Sequence, residues 1–332
     1  MSPRPLLRGA ALLAAAALVV TGCGSDDDTT SNAGGDGGGS SSGAFPVTVS
    51  TAFGDVVIEE EPTRVVALGW GDAETALALG VQPVGASDWL AFGGEGVGPW
   101  SEGLYDEAPE LIDTSEPSFE AIAALEPDLI LDTKSDGTQE RYDLLSQIAP
   151  TVGAPEGVGA FQTTYEQQLE LVGQALGRTD EADELAAEVT EAFEAAAAEH
   201  PEFEGTEVAV AAFTAEGYTA YVQGDTRVDF MEELGFVNKP AIQDQATDSF
   251  YIPVSEEQVS LLDSELTVAF PIYVDAAEYT SDPLWQALPS VQDGRVVVLE
   301  DEALANAFSI GTAPSIRYAL ENAVPLFADA LT

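Results

Sequence analysis

The segment Arg64-Val-Val-Ala-Leu-Gly-Trp-Gly-Asp-Ala-Glu-Thr-Ala-Leu-Ala-Leu79 sets a pattern that the rest of the chain repeats. Its first part, Arg64–Leu68, is a short apolar run typical of a strand that is buried on both faces. Gly69-Trp70-Gly71 predicts a turn into a helix over Asp72–Leu79, and Gln82–Ala86 is predicted to be the next strand. A strand, a helix and a second strand in this order are typical of a mostly parallel sheet covered by helices.

The same alternation continues to the end of the chain, after an N-terminal hairpin. The chain from Phe45 onward is too long for one small core, so we expect two α/β lobes. The other predicted elements are hairpin strands Val47–Ser50 and Asp55–Glu59; helices Ser118–Leu125, Thr138–Ile148, Phe161–Leu176, Asp180–Glu199, Arg227–Leu234, Ser255–Leu262 and Pro314–Leu331; and strands Asp128–Asp132, Glu207–Phe213, Tyr218–Val222, Leu266–Phe270 and Arg295–Leu299.

The N-terminus is predicted to be a secretory signal peptide over residues 1–22. Its apolar core, Gly9–Val20, follows two arginines and is too short for a membrane span. The run Val20-Thr-Gly-Cys23 contains the only cysteine and resembles the lipobox of bacterial lipoproteins, which implies that Cys23 carries lipid. The alternative is an ordinary signal with a coincidental cysteine. Residues 23–44, rich in Gly, Ser and Asp, are predicted to be a flexible tether that leaves the protein at the extracytoplasmic face of the cell membrane.

The charge of the chain excludes several kinds of partner. Ten Lys and Arg against 59 Asp and Glu give a formal net charge of −49. Such a surface repels nucleic acid and anionic lipid headgroups, so neither is expected as a partner. No second cysteine is present for a disulfide, so packing alone must stabilise the fold. We also expect the protein to be a monomer and to have no bound cofactor.

Five segments, taken in order, resemble the substrate-binding lipoproteins of bacterial ABC importers for ferric siderophores, whose relatives bind vitamin B12 and haem. The resemblance implies two Rossmann-like lobes, residues 45–178 and 201–332, joined by one long rigid helix over residues 179–200. It further implies a ligand cleft between the lobes and delivery of a ferric siderophore to an ABC permease. The segments are Pro62-Thr-Arg-Val-Val-Ala-Leu68, Glu126-Pro-Asp-Leu-Ile-Leu131, Ile148-Ala-Pro-Thr-Val152, Asp282–Leu299 and Ser315-Ile-Arg-Tyr-Ala-Leu-Glu321.

Candidate ligand contacts follow from the rule that ligands bind at the carboxyl ends of parallel strands. Trp89 and Trp100 also flank a Gly-rich loop that has little means of burying them, which favours ligand contact over a core position. The aromatic and polar candidates are Trp70, Trp89, Trp100, Phe213, Tyr273, Phe308 and Ser309.

The cationic candidates are few. Arg227 stands at a predicted helix start, where the helix dipole disfavours a cation, and the resemblance places this loop at the cleft. Lys134 and Arg141 are further candidates, although each could instead pair with a surface acid. A cleft rich in aromatic groups and poor in cations suits a bulky, roughly neutral chelate such as a ferric hydroxamate, whereas a tricatecholate would require an arginine cluster.

Two glutamates are candidates for permease docking. Glu120 and Glu257 each occupy the second position of a predicted helix, after a capping serine. Each complements the helix dipole there. The resemblance implies that both also meet arginines on the permease.

Three other functions were weighed. A lipid-anchored hydrolase lacks a convincing nucleophile and base, because His200 is the only histidine and Cys23 would carry lipid. A protein for bare zinc or manganese would need several histidines. A haem- or cobalamin-binding lipoprotein of the same fold remains open; haem could use one of the tyrosines Tyr218, Tyr221, Tyr251 and Tyr273.

Overall fold

The computed structural model describes residues 45–114 and 116–332. The predicted signal peptide, the tether and the lipidation site Cys23 lie outside the described residues. The strands are β1 (Val47–Thr51), β2 (Gly54–Ile58), β3 (Val65–Ala67), β4 (Gly85–Ser87), β5 (Glu110–Ile112), β6 (Leu129–Asp132), β7 (Thr151–Gly153), β8 (Glu207–Thr214), β9 (Gly217–Tyr221), β10 (Val237–Asn238), β11 (Tyr251–Val254), β12 (Leu266–Pro271) and β13 (Val296–Val298).

The helices cover these strands. They are α1 (Asp72–Ala78), α2 (Phe119–Ala124), α3 (Gln139–Leu145), α4 (Tyr165–Leu176), α5 (Thr179–Glu199), α6 (Thr226–Glu233), α7 (Pro240–Gln243), α8 (Ala276–Thr280), α9 (Pro283–Gln286), α10 (Pro289–Gln292), α11 (Glu302–Ile310) and α12 (Ala313–Ala330), with 3₁₀ turns at Pro201–Phe203 and Glu256–Leu262.

The first sheet has five strands in the order β5-β4-β3-β6-β7, and all of its pairs are parallel. β3 lies at its centre, and every residue of β3 and β6 is buried, as expected for a sheet covered on both faces. We call the part of the chain built on this sheet the first lobe.

The second sheet follows the order β11-β9-β8-β12-β13, with β10 paired beside β8. Its β8, β12 and β13 are parallel, but β9 and β11 run antiparallel to their neighbours. The short connection between β8 and β9 forces a hairpin, because a parallel crossover would need a dozen or more residues. We call this part the second lobe.

The predicted α/β architecture with two lobes is therefore confirmed, and several of its details differ. The segment predicted as a helix over Ser255–Leu262 is a 3₁₀ turn, in which the Ser255 hydroxyl bonds the Gln258 side chain instead of capping the backbone. Helix α11 was not predicted, although Asp301 caps it by accepting a hydrogen bond from the Leu304 amide. The missed helix lines the cleft.

One hydrophobic core connects the two lobes. It runs from the β1–β2 hairpin and one face of the first sheet, through α4, α5 and α12, to one face of the second sheet. Phe193 of α5 packs edge-to-face on Phe230 of α6, with ring centroids 5.2 Å apart. Separate clusters cover the opposite faces of the two sheets. The lobes therefore share apolar contacts well beyond a single connecting segment.

Candidate functional site

A cavity of about 820 Å³ lies between the two lobes. Trp70 and Trp89 line it from the first lobe, each shortly after the carboxyl end of a strand, β3 or β4. On the side of the second lobe, the cavity is lined by residues at or after the carboxyl ends of β8, β12 and β13, and by side chains of α11. This is the place where open α/β sheets bind ligands, and the volume suits a small molecule.

The first-lobe wall is a stack of three aromatic rings, which we call the aromatic stack: Trp89, Trp70 and Phe161. The Trp70 ring is parallel to that of Trp89, with centroids 4.0 Å apart, and it stacks on Phe161 at 4.2 Å. Phe250 of the second lobe meets Trp70 edge-on at 6.4 Å. Among the described residues, the indole N–H groups of Trp70 and Trp89 are buried without a hydrogen-bond partner.

Glycines on both sides of Trp70 allow its position. A Cβ on Gly69 would stand 2.4 Å from Asp72 Oδ2, and a Cβ on Gly71 would stand 2.6 Å from Thr312 Cγ2 of the second lobe. Gly71 also has a φ of 80°, which L side chains rarely adopt. The turn that follows β3 therefore packs closely against both lobes and holds Trp70 at the cavity.

Two aromatic residues have a strained backbone, Tyr273 at this cavity and Phe161 at a smaller one in the first lobe. Phe161 has a φ of 61° and Tyr273 has a φ of 54°. This region costs a non-glycine residue on the order of 1 kcal/mol or more and concentrates at functional sites. Tyr273 is also 81% exposed, although large aromatic rings are normally well covered. The fold therefore presents the Tyr273 ring at the cavity at some energetic cost.

Arg227 is the only cation that lines the cavity within the described chain. Its Nη1 donates to Asp225 Oδ2 at 2.7 Å, and its Nε donates to Ser309 Oγ at 3.2 Å. The guanidinium lies over the Tyr221 ring, 4.2 Å from its centroid. Burial alone would lower the pKa of Arg227, but the Asp225 carboxylate and Tyr221 outweigh it and raise the pKa above its ordinary value. Arg227 is thus a fixed charge, largely balanced by Asp225.

Lys134 connects the lobes beneath the cavity. It follows β6 of the first lobe, and its Nζ donates to Thr226 Oγ1, at the start of α6 in the second lobe, at 2.7 Å. Burial lowers its pKa to about 8, although the nearby Asp225 opposes that shift. Lys134 therefore serves as a bridge between the lobes.

A second, smaller cavity of about 180 Å³ lies in the first lobe behind Trp70. Lys134 and Arg141 both line it. Arg141 is held by Asp132, to which its Nη2 donates at 2.8 Å, and its Nη1 donates to the carbonyl oxygen of Thr114. Burial raises the pKa of Asp132 to about 6 even though Arg141 lowers it. Trp70 lines both cavities, so its ring separates the two.

Two buried acids position the first-lobe wall. Asp72 accepts hydrogen bonds from the Gly69 amide, from the amide and hydroxyl of Thr133, and from Gln168 Nε2. Glu74 accepts from the Gly98 amide, from Trp100 Nε1 at 2.8 Å and from Thr312 Oγ1 at 2.7 Å. Burial raises the pKa of both carboxyl groups. These contacts fix the loops that carry Trp70 and Trp100, and Glu74 also attaches α12.

The second-lobe wall carries exposed acids. Glu216, Asp275, Glu300 and Glu302 all line the cavity, and all four are exposed. Asp275 caps α8 by accepting from the Ala277 amide. We call these four residues the acidic rim.

The described part of the chain contains no cluster of three or more His, Cys, Asp or Glu side chains arranged to hold a metal ion. None of its helices combines the length and the apolar character needed to cross a membrane. The features that the cavity offers a ligand are therefore aromatic rings, one balanced guanidinium and exposed carboxylates.

A family model described as periplasmic binding protein matches residues 65–303, which include both walls of the cavity. The chain belongs to the periplasmic binding protein family. We call the cavity between the two lobes the cleft.

Curated relatives and solved structures agree with this assignment. The probable siderophore-binding lipoprotein YfiY of Bacillus subtilis (strain 168) is 28% identical over 274 residues, covering 77% of this chain and 80% of the relative. Streptococcus pneumoniae TIGR4 PiaA in complex with ferrichrome superposes with a TM-score of 0.74 at 28% identity, covering 86% of this chain and 98% of PiaA. A periplasmic solute binding protein from Mycobacterium smegmatis str. MC2 155 gives 0.76 at 30% identity, covering 86% of this chain and 99% of that protein.

The structure divides the sequence-predicted ligand residues into three groups. Five line the cleft: Trp70, Trp89, Arg227, Tyr273 and Ser309. Lys134 and Arg141 line the smaller cavity instead. The side chains of three others lie elsewhere, namely Trp100 in a groove between α5 and α12, Phe213 in the core of the second lobe, and Phe308 in the core shared by the lobes.

Packing explains the last group. Phe213 stacks on Tyr279 and meets Trp285 edge-on. Its ring is therefore buried in the cluster that covers the face of the second sheet away from the cleft. Phe308 packs against Phe230 and Phe327 and is 1% exposed. Its neighbour Ser309 points to the cleft because successive residues of a helix face different directions.

Sequence reasoning missed several cleft residues. Phe250 has no strand directly before it, so the carboxyl-end rule does not select it. The rule misses Phe161 of the smaller cavity for the same reason. Tyr221 was considered only as a haem ligand, yet its ring supports Arg227. Glu302 and Asn306 lie on the unpredicted helix α11. The capping aspartate Asp301 was the available signal for that helix.

Proposed function

We propose that this protein is an extracytoplasmic solute-binding protein that captures a ferric siderophore and delivers it to an ABC permease. The observation that carries the proposal is the cavity of about 820 Å³ with a tryptophan wall, in a chain of the periplasmic binding protein family. Relatives described as binding a siderophore or ferrichrome support it. No transport partner is needed for capture itself, so binding and delivery can be tested separately.

The ligand we favour is a ferric hydroxamate, whose iron-bearing core is roughly neutral. The indole rings of Trp70 and Trp89, which line the cavity, suit the apolar surface of a chelate. A polyanionic tricatecholate would find only Arg227, whose charge Asp225 already balances. The proposal therefore includes no bound cofactor other than the transported chelate.

Quenching of tryptophan emission tests the ligand class. The detergent-solubilised full chain is titrated with ferrichrome, a ferric tricatecholate, haem and cobalamin. We expect saturable quenching by ferrichrome and much weaker binding of the tricatecholate. Tight retention of the tricatecholate but not of ferrichrome contradicts the hydroxamate assignment. A Soret band with haem, in the absence of ferrichrome binding, favours the haem-binding alternative.

We propose that Glu120 and Glu257 contact the permease. Both side chains are exposed, one in each lobe, and each lies in the first turn after Ser118 or Ser255. Reversal of both charges by Glu120→Arg and Glu257→Arg should abolish uptake of the ferric chelate by cells while its affinity for the purified protein stays the same. The control is reversal of the exposed Glu140 and Glu184, which should leave uptake intact. Unchanged uptake in the Glu120/Glu257 variant rejects the docking assignment.

We also propose that Cys23 carries the lipid that holds the protein at the outer face of the membrane. The B. subtilis relative is described as a lipoprotein, and the Val20-Thr-Gly-Cys23 run supports the same processing here. Cys23→Ser should move the protein from the membrane fraction to the medium or periplasm. Retention in the membrane fraction contradicts the anchor.

We propose the boundaries 45–178 and 201–332 for the lobes, with α5 as a rigid link and the protein as a monomer. The core shared through α4, α5 and α12, together with the Lys134–Thr226 bond, supports limited motion between the lobes. Small-angle scattering with and without ligand should give nearly the same radius of gyration. A marked compaction on ligand addition contradicts the rigid link.

A further inference from the structure

We infer that the cleft selects its chelate by charge and prefers a cationic ferric hydroxamate over a neutral one, and a neutral one over an anionic one. This inference rests on the proposed function and deepens it. Its basis is the position of charged groups around the cavity, on the side of the second lobe.

The buried charges near the cavity largely cancel one another. Arg227 is paired with Asp225 at 2.7 Å, and both are almost fully buried. Lys134, the other buried cation at this interface, also has Asp225 and Asp229 among its electrostatic neighbours. A ligand that enters the cavity therefore meets little net positive charge from within the protein.

The exposed charges around the cavity do not cancel. Glu216, Asp275, Glu300 and Glu302 are four carboxylates on the lining, against the single guanidinium of Arg227. In the part of the chain that the structure describes, no ion pair to a Lys or Arg involves any of the four. A ligand ammonium near this rim gains Coulomb energy from several acids at once, and a ligand carboxylate meets repulsion.

The arrangement also separates two parts of a ligand. Trp70 and Trp89 of the aromatic stack line the cavity from the first lobe, so the apolar body of a chelate can pack there. The acidic rim belongs entirely to the second lobe, so a charged appendage of the same ligand can lie on the opposite side. The aromatic stack thus binds the chelate core, and the acidic rim discriminates between ligands by the charge of their appendage.

Three forms of one chelate test the inference. The ferric complex of desferrioxamine B carries a free amine and a charge of about +1; acetylation of that amine makes the complex neutral, and succinylation makes it anionic. The iron core is the same in all three forms. Dissociation constants are measured with the detergent-solubilised full chain by quenching of tryptophan emission.

We expect the cationic form to bind about threefold to thirtyfold more tightly than the anionic form at low salt, with the neutral form between them. The preference should shrink at about 1 M salt, where the Debye length is only about 3 Å. Glu216→Gln/Glu300→Gln/Glu302→Gln should bring the three affinities within about threefold. Asp275 is left in place because it caps α8.

A matched control separates the rim from the overall charge of the protein. Glu110→Gln/Glu184→Gln/Glu199→Gln removes the same number of charges from exposed glutamates that line none of the cavities described above. It should keep the full preference. Equal affinities for the three forms in the unmodified protein overturn the inference, as does a preference that persists in the rim variant. If none of the three forms binds, the hydroxamate assignment fails, and the inference falls with it.

Discussion

The wall of the first lobe and the acidic rim of the second lobe use carboxylates in opposite ways at the same cleft. The first lobe buries Asp72 and Glu74 behind its wall, where each accepts hydrogen bonds from backbone amides and side chains. The second lobe exposes Glu216, Glu300 and Glu302 at the cavity itself. In a chain with 59 acidic residues, the position of a carboxylate in the fold, and not its abundance, determines its role.

Substitution of a buried acid and substitution of an exposed rim acid should therefore have different effects. Loss of a buried, hydrogen-bonded acid should affect stability, because its donors are left unpaired in the interior. Loss of an exposed acid should affect only ligand preference, because water replaces it at little cost. Each variant below tests whether a residue contributes mainly to the stability of the fold or mainly to ligand binding.

The largest effect is expected from Asp72→Ala. It removes the acceptor of Gly69 N, Thr133 N and Thr133 Oγ1, all buried donors. Unsatisfied buried groups cost about 1–3 kcal/mol each, so the free energy of unfolding should fall by about 4 kcal/mol or more. Urea unfolding followed by circular dichroism measures it, with Glu300→Ala as the exposed control that should stay within about 0.5 kcal/mol. A comparable loss in the two variants contradicts this difference between buried and exposed acids.

Two tryptophans give the next contrast. Trp70→Ala removes the centre of the aromatic stack, and we expect ligand affinity to fall about tenfold to a hundredfold. Trp100→Phe removes the donor to Glu74 and shrinks the ring that packs on Phe92 and Tyr318, so it should cost about 1–3 kcal/mol of stability and leave affinity unchanged. Ligand titrations and urea unfolding of both variants measure the two quantities. Equal loss of affinity in both variants would place Trp100 at the ligand as well.

These contrasts show which parts of the molecule local sequence could predict. The strand, turn and helix around Trp70 follow from apolar runs and glycine positions that lie next to each other in the chain. Trp100 is held by its hydrogen bond to Glu74, 26 positions away. Lys134 bridges the lobes through its hydrogen bond to Thr226, 92 positions away. No local pattern reports such partners. Trp89 and Trp100 flank the same Gly-rich loop and give the same signal in sequence, but Trp89 lines the cleft and Trp100 does not.

Arg141 illustrates the same limit at shorter range. Its partner Asp132 ends strand β6, and both side chains are buried in the first lobe. The sequence left open a surface ion pair or a ligand contact, and the structure shows an internal pair beside the smaller cavity. Only the fold shows that the carboxyl end of β6 and the first turn of α3 meet under Trp70.

The smallest effect concerns pH and follows from the buried acids. Burial raises the folded-state pKa of Asp132 and of Asp229 to about 6, and it raises the pKa of Asp72 and Glu74 as well. Between the unfolded value of 3.8 and about 6, the folded state binds more protons than the unfolded state, so stability increases as pH falls through 6. The melting temperature should therefore be higher at about pH 5.5 than at about pH 7.5.

Asp229→Asn tests this sign with little disturbance, because Asp229 Oδ1 accepts only from the Gly224 amide and an amide oxygen can do the same. We expect the variant to be more stable than the unmodified protein at about pH 7.5, by about 1 kcal/mol, because it no longer ionises a largely buried group there. The gain should vanish near pH 5, where the aspartate is itself protonated in the folded state. Glu300→Gln, at the exposed rim, should show no such pH-dependent gain. If its gain matches that of Asp229→Asn, relief of general charge repulsion, and not burial, governs the pH response.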